Sequence, residues 1–131
     1  MIGVDVHVLL RAVLLDDPAQ SDRATRFFGK RGSNDPAVIN AVVLAEFVMT
    51  LQVVYRMPVR EIAGILRAMT ESAAYCFPDR EAVLRALRDT ELSGGSFIER
   101  FVAEINDVYG CSSTATFDSR AARRAPFSAV P

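Results

Sequence analysis

The chain has one histidine, His7, and two cysteines, Cys76 and Cys111, which form no CxxC pair. A closed zinc site needs about four nitrogen or sulfur ligands, so the supply argues against a structural zinc. Two thiols in an unstapled domain of this size fit a reducing compartment. Long apolar runs are missing as well. The opening MIGVDVHVLL has no basic region ahead of its apolar residues; Asp5 interrupts the run, and Arg11 and Asp16-Asp17 bound the apolar stretch after it. It is too short and too charged for a signal peptide or a membrane span, so a cytoplasmic protein with no membrane attachment is expected. Neither sign of charge dominates. With 15 basic and 16 acidic residues the net charge is -1, which gives no broad attraction for nucleic acid; such binding would need a local basic patch.

What is present describes a globular domain. Half of the residues are hydrophobic, 24% are charged and the mean hydropathy is +0.18. Disordered chains lack the apolar residues to offset ordering entropy. A length of 131 residues is one domain's worth of chain, able to bury about 70% of its unfolded surface. No repeat, low-complexity tract or linker divides it, so residues 1–131 are read as a single domain.

Short apolar strands alternate with amphipathic helices. Ile2-Gly3-Val4-Asp5 reads as a buried strand ending in a carboxylate, and Val8 to Leu15 as an apolar helix. Asp17-Pro18 opens a second helix, with Asp as N-cap and Pro in the first turn, and this helix stops near Gly29. Residues 32–36, GSNDP, are a loop. Ala37 to Asn40 is a second strand, followed by a helix from about Val43 to Tyr55. Met57-Pro58 breaks the chain before a helix carrying Ile62, Ile65, Leu66 and Met69. Tyr75-Cys76-Phe77 is a short strand. Asp79 opens a helix that ends at Gly94-Gly95, and the helix beginning at Ser96 shows an apolar stripe of Ile98, Phe101, Val102, Ile105 and Tyr109. Ser113 to Phe117 reads as a strand ending at Asp118, and Phe127 to Val130 as a last one. This alternation predicts an α/β domain with a mainly parallel sheet.

Ligand sites in open parallel sheets lie beyond the carboxyl ends of the strands. Asp5 and Asp118 end predicted strands, Glu46 sits early in the helix after the second strand, and Glu99 lies in the first turn of a helix. All lie near junctions that can bring them to one edge. Clustered carboxylates repel, and a hard cation such as Mg²⁺ or Mn²⁺ resolves the conflict because it prefers oxygen ligands. The ordinary alternatives are specific. Asp5 and Asp118 are also good helix caps, and Ser96 with Glu99 is a capping box. Glu46 lies in an almost wholly apolar stretch, where burial without a partner would cost several kcal/mol. His7 suits a phosphate, the Asp5 carboxylate or a partly exposed cap position.

Four segments, in order and over nearly the whole chain, resemble PIN-domain proteins of the VapC toxin type. MIGVDVHVLLRAVL resembles that family's first strand with its metal-binding Asp. INAVVLAEFVMTLQVVYR resembles its second strand and helix, with Glu46 at the metal-binding Glu. GGSFIERFVAEINDVYGC resembles a D-F-x-D segment and helix, and TATFDSRAARRAPF resembles its T-F-D segment. The resemblance implies a three-layer α/β/α sandwich around a central, mainly parallel sheet. It implies an acidic quartet of Asp5, Glu46, Glu99 and Asp118 holding Mg²⁺ or Mn²⁺. It also implies an endoribonuclease that cleaves RNA, forms a homodimer and is inhibited by a VapB-type antitoxin. Ser96 or Thr116 would orient a water or phosphate oxygen, and Arg11, Arg120, Arg123 and Arg124 are candidate phosphate contacts. Two positions depart from the pattern: Ser96 stands where the first Asp of D-F-x-D is usual, and Glu99 where the second is. Those departures also allow a PIN-fold protein with weak or no nuclease activity that acts through protein or RNA binding.

Overall fold

The computed structural model describes residues 1–131 and is mixed α/β, with six α-helices and five short strands. The chain forms two compact units, Met1–Arg80 and Glu81–Pro131. The strands pair as two separate parallel sheets, one in each unit, where the sequence predicts one. No helix is long and apolar enough to cross a membrane.

In the first unit, β1 (Ile2–Gly3), β2 (Ala37–Val38) and β3 (Tyr75–Cys76) form a three-stranded parallel sheet with β2 in the middle. The register sets Ile2 opposite Ala37 and Ala37 opposite Tyr75. Parallel neighbours need long crossovers. Here α1 (Val6–Leu14) and α2 (Pro18–Gly29) connect β1 to β2, and α3 (Ala41–Val53) and α4 (Val59–Thr70) connect β2 to β3. β1 is shorter than the predicted Ile2–Asp5. The Asp5 carboxylate already accepts hydrogen bonds from the His7 and Val8 amides, so the backbone turns into α1 before Asp5 can extend the strand. Asp17 caps α2 through the Gln20 amide, with Pro18 in the first turn as expected, and Asn40 caps α3 through the Val43 amide. α3 therefore starts at Ala41, two residues before its predicted start.

α3 has two different sides. Leu44, Phe47, Val48 and Leu51 are buried, whereas Val42, Glu46, Met49 and Val53 are exposed. The apolar neighbours of Glu46 in sequence thus do not bury it. A helix that is apolar on both sides carries no periodic signal to say which side faces inward.

In the second unit, α5 (Arg80–Ser93), which begins at the unit boundary, precedes α6 (Phe97–Val108). β4 (Thr114–Thr116) then pairs in parallel with β5 (Phe127–Ala129), with Thr114 opposite Phe127. A 3-10 turn, Ala121–Arg123, lies in the connection between them. The inward face of α6 differs from the predicted stripe. Phe97, Phe101, Ala103 and Glu104 are buried, with the Phe97 and Phe101 rings stacked at 5.3 Å, while Val102 and Tyr109 are exposed. Phe97, Phe101 and Glu104 each stand one residue before Ile98, Val102 and Ile105, so the buried face is turned by about 100° from the predicted stripe, and Tyr109 is left at the exposed C-cap.

Adjacent residues on α3 give a direct test of its inward face. Phe47→Ala, at a fully buried ring, should cost about 3–5 kcal/mol in urea unfolding, whereas Glu46→Gln should stay within about 0.5 kcal/mol. Equal costs at the two positions would mean that the helix is rotated.

Candidate functional site

The second unit contains a cavity of about 210 Å³ bordered by Ser96, Glu99, Asp118 and Arg120, together with Asp89 and three further polar or aromatic walls, Arg100, Arg124 and Phe127. Five positions singled out in the sequence, Ser96, Glu99, Asp118, Arg120 and Arg124, therefore share one cavity. Its geometry is built from helix starts. Ser96 Oγ accepts a hydrogen bond from the Glu99 amide at 3.4 Å, which begins α6 and fixes the backbone of Glu99. The reciprocal half of the capping box is not made. The Glu99 carboxylate has no hydrogen-bond or ion-pair partner and is exposed at the cavity.

Asp118 is held more firmly. Its Oδ1 accepts from the Arg120 amide at 2.8 Å and the Ala121 amide at 3.2 Å, which starts the 3-10 turn, and Oδ2 is left open. Thr116 acts on the same loop, because its Oγ1 accepts from the Asp118 amide at 3.0 Å. That bond commits Thr116 to shaping the turn after β4. The turn that follows Asp118 is a three-residue 3-10 turn, Ala121–Arg123.

Two groups in this cavity were not singled out from the sequence as parts of a site. Asp89 of α5 pairs with Arg124 at 3.2 Å, so Arg124 is tied to a carboxylate and Asp89 is neutralised. Arg100 is held by Glu104 at 3.0 Å and by the Ala125 carbonyl at 3.2 Å. The signal available in the sequence was the i,i+4 spacing of Arg100 and Glu104, a pairing that usually marks a solvated helix face. Arg120 has no partner for its guanidinium.

The first unit has a wider cavity of about 620 Å³, bordered by Asp5, His7 and Arg11 together with Val8, Gln20 and Phe27. Asp5 repeats the arrangement at Asp118. Oδ1 takes two backbone amides, His7 at 3.0 Å and Val8 at 3.3 Å, and Oδ2 remains open. His7 donates its backbone amide to Asp5; its imidazole has no partner and is exposed. Arg11 links α1 to the start of α2. Nε donates to Gln20 at 2.8 Å and Nη1 to Asp16 at 2.6 Å, and Tyr55 Oη also approaches Asp16, at 3.4 Å. The hydrogen bond from Arg11 holds the Asp16 carboxyl below its ordinary value, and Asp16 in turn raises the Arg11 pKa. Arg123 lies exposed in the 3-10 turn.

Asp5 borders the cavity of the first unit, Glu99 and Asp118 border that of the second, and Glu46 lies on the exposed side of α3 and borders neither. Within neither unit do three or more His, Cys, Asp or Glu side chains gather as a cation site. Carboxylate oxygens with open lone pairs, as at Asp5, Glu99 and Asp118, are nevertheless the donors that Mg²⁺ and Mn²⁺ prefer. Compared with known proteins, the chain matches no protein-family model, and no curated protein matches it significantly.

Two measurements check this geometry. Asp118→Asn keeps an oxygen to accept the two amides and should unfold close to the parent, whereas Asp118→Ala loses that acceptor and should be less stable by about 0.5–2 kcal/mol. The second concerns Asp16, whose lowered pKa favours the folded state. That contribution is fully present above the ordinary aspartate pKa and is lost as the pH falls through the depressed one. In Arg11→Ala the Asp16 titration, followed by carboxyl NMR, should move up toward the ordinary value; an unmoved titration would show that Arg11 is not its cause.

Proposed function

We propose that the chain is a PIN-like, metal-dependent endoribonuclease of the VapC toxin type, folded as a three-layer α/β/α sandwich over residues 1–131. The observation that carries the proposal is the shared cavity of Ser96, Glu99, Asp118 and Arg120: the family resemblance puts Glu99 and Asp118 in the acidic quartet and Ser96 at the first Asp of D-F-x-D, and Arg120 is a guanidinium suited to phosphate. Asp5 adds to it through the same one-oxygen-bound, one-oxygen-open arrangement as Asp118. In this reading Asp5, Glu46, Glu99 and Asp118 hold Mg²⁺ or Mn²⁺, directly or through water.

The bound cation would supply charge that offsets the negative charge developing on a phosphodiester, and would acidify water at neutral pH. The protein's own groups do the rest. Backbone amides fix Asp5 and Asp118, so each presents its remaining oxygen in a set direction. The unpaired Arg120 guanidinium supplies a phosphate contact, and Ser96 and the exposed His7 border the places where RNA would lie. Thr116 contributes by holding the Asp118 loop, and Arg11 by holding α1 against the start of α2. Cytoplasmic location, a homodimer and inhibition by a VapB-type antitoxin belong to the same proposal.

A second reading keeps the PIN fold without efficient cleavage and assigns the chain to protein or RNA binding. It is favoured by the Ser96 and Glu99 departures and by the lack of a three-acid group within either unit. Activity separates the two. With Mn²⁺ the purified chain should cleave single-stranded RNA, and Asp5→Asn and Asp118→Asn should each lower the rate by at least about 100-fold, since even residues that only support metal ligands are worth 10–100-fold. No cleavage by the parent chain, with cleavage gained on Ser96→Asp plus Glu99→Asp, would establish the second reading instead.

A further inference from the structure

Glu104 is the one acidic side chain in the core of either unit, at 6% exposure on the inward face of α6. A carboxylate removed from water needs its lone pairs satisfied, and an apolar residue would be the simpler choice at such a position. The partner is Arg100, one turn earlier on α6, whose Nε donates to Glu104 Oε1 at 3.0 Å. Arg85 of α5 adds a longer approach at 3.9 Å. Arg100 also donates from Nη1 to the Ala125 carbonyl at 3.2 Å. Its stem and head are therefore fixed on both the α6 side and the loop before β5, and it borders the cavity that holds Glu99 and Asp118.

A guanidinium has five N–H donors, and these two bonds use two of them. The donors left over sit on a planar fork that matches phosphate oxygens, and the fork has already lost its rotamer freedom. Arg124 is not equivalent, because one contact, to Asp89 at 3.2 Å, holds its guanidinium and the side chain is largely exposed. Arg120 is unpaired but unsupported. Arg100 is the arginine of this cavity that the fold has pre-oriented.

We infer that Arg100 binds a backbone phosphate of single-stranded RNA in the cavity of the second unit, and that buried Glu104 is the positioning residue that holds its guanidinium in place. This rests on the nuclease reading for its choice of RNA as ligand, and it names a contact which that reading does not contain. Glu104 touches no substrate. It acts by fixing Arg100, which puts its cost into affinity and leaves the number of phosphate contacts unchanged.

The test is the affinity of the full chain for a short oligouridine in EDTA, measured across a salt series so that binding is read without cleavage. One lost phosphate contact lowers the slope of log affinity against log salt by about 0.7 for single strands. Arg100→Ala should weaken binding about tenfold and lower the slope by that amount. Arg100→Lys keeps the charge and the slope but loses the fork, and should weaken binding several-fold. Glu104→Gln should also weaken binding with the slope retained. Circular dichroism checks folding in each case, and if Arg100→Ala does not fold, Arg100→Lys decides. No RNA binding by the parent chain, or affinity unchanged in a folded Arg100 variant, overturns the inference. Arg100-dependent binding in a chain that cuts no RNA with Mn²⁺ keeps this inference and removes the nuclease; cutting with Arg100-independent binding does the reverse.

Discussion

Each cavity is bordered by an aspartate that is already committed, through one of its two oxygens, to the start of a helical turn. Asp5 Oδ1 takes the amides of His7 and Val8, and Asp118 Oδ1 takes those of Arg120 and Ala121. The first amides of a helix have no partner within the helix, so a side-chain acceptor is needed there in any case. Meeting that need fixes the carboxylate plane as well. The second oxygen is then held in a defined direction by a bond whose purpose is structural. Capping and ligand binding are not competing uses of the same residue when each uses a different oxygen.

That division explains why local sequence patterns could be right about these residues without deciding what they do. Asp5 and Asp118 satisfy the description of an N-cap and equally the description of a site carboxylate. The same holds at Ser96-Phe97-Ile98-Glu99, which reads as a capping box. Only its first half forms: Ser96 Oγ accepts from the Glu99 amide, and the Glu99 carboxylate does not return to Ser96. A Glu99 folded back onto the Ser96 amide would have been partly withdrawn from the cavity. Instead its backbone is anchored and its carboxylate is open.

The legible part of the fold was what the backbone chemistry punctuates. Asp17-Pro18, Asn40 and Ser96 mark helix starts, and Gly94 and Gly110 adopt positive φ near helix ends, so the order of elements comes from short-range signals. The parts that were not legible depend on which face of an element turns inward. α3 is apolar nearly all round, and its sequence is silent on whether Glu46 or Phe47 is buried. α6 offered a tidy stripe through Val102 and Tyr109, yet tertiary packing chose Phe97 and Phe101 and accepted Glu104 into the core. The division of the strands into two sheets is also a long-range property. Strands of two or three residues carry too few side chains to specify their neighbours by pattern.

Electrostatics obeys the same logic of fixed and free groups. The chain is nearly neutral, and most of its ion pairs, such as Arg26 with Asp22 and Arg31 with Asp35, are exposed or partly exposed and worth little to stability. What distinguishes the second unit is how its charges are distributed around one cavity. Arg124 and Asp89 cancel one another there, Glu99 and the outer oxygen of Asp118 are open, and Arg100 is braced by a carboxylate that the core has enclosed. An acidic residue is tolerated in a core when its neighbours satisfy it, and the neighbour that does so here also borders the cavity. Glu104 therefore links the packing of α6 to the chemistry of the cavity. A change at this buried position would reach the cavity through Arg100 even though the carboxylate itself is not part of the cavity wall.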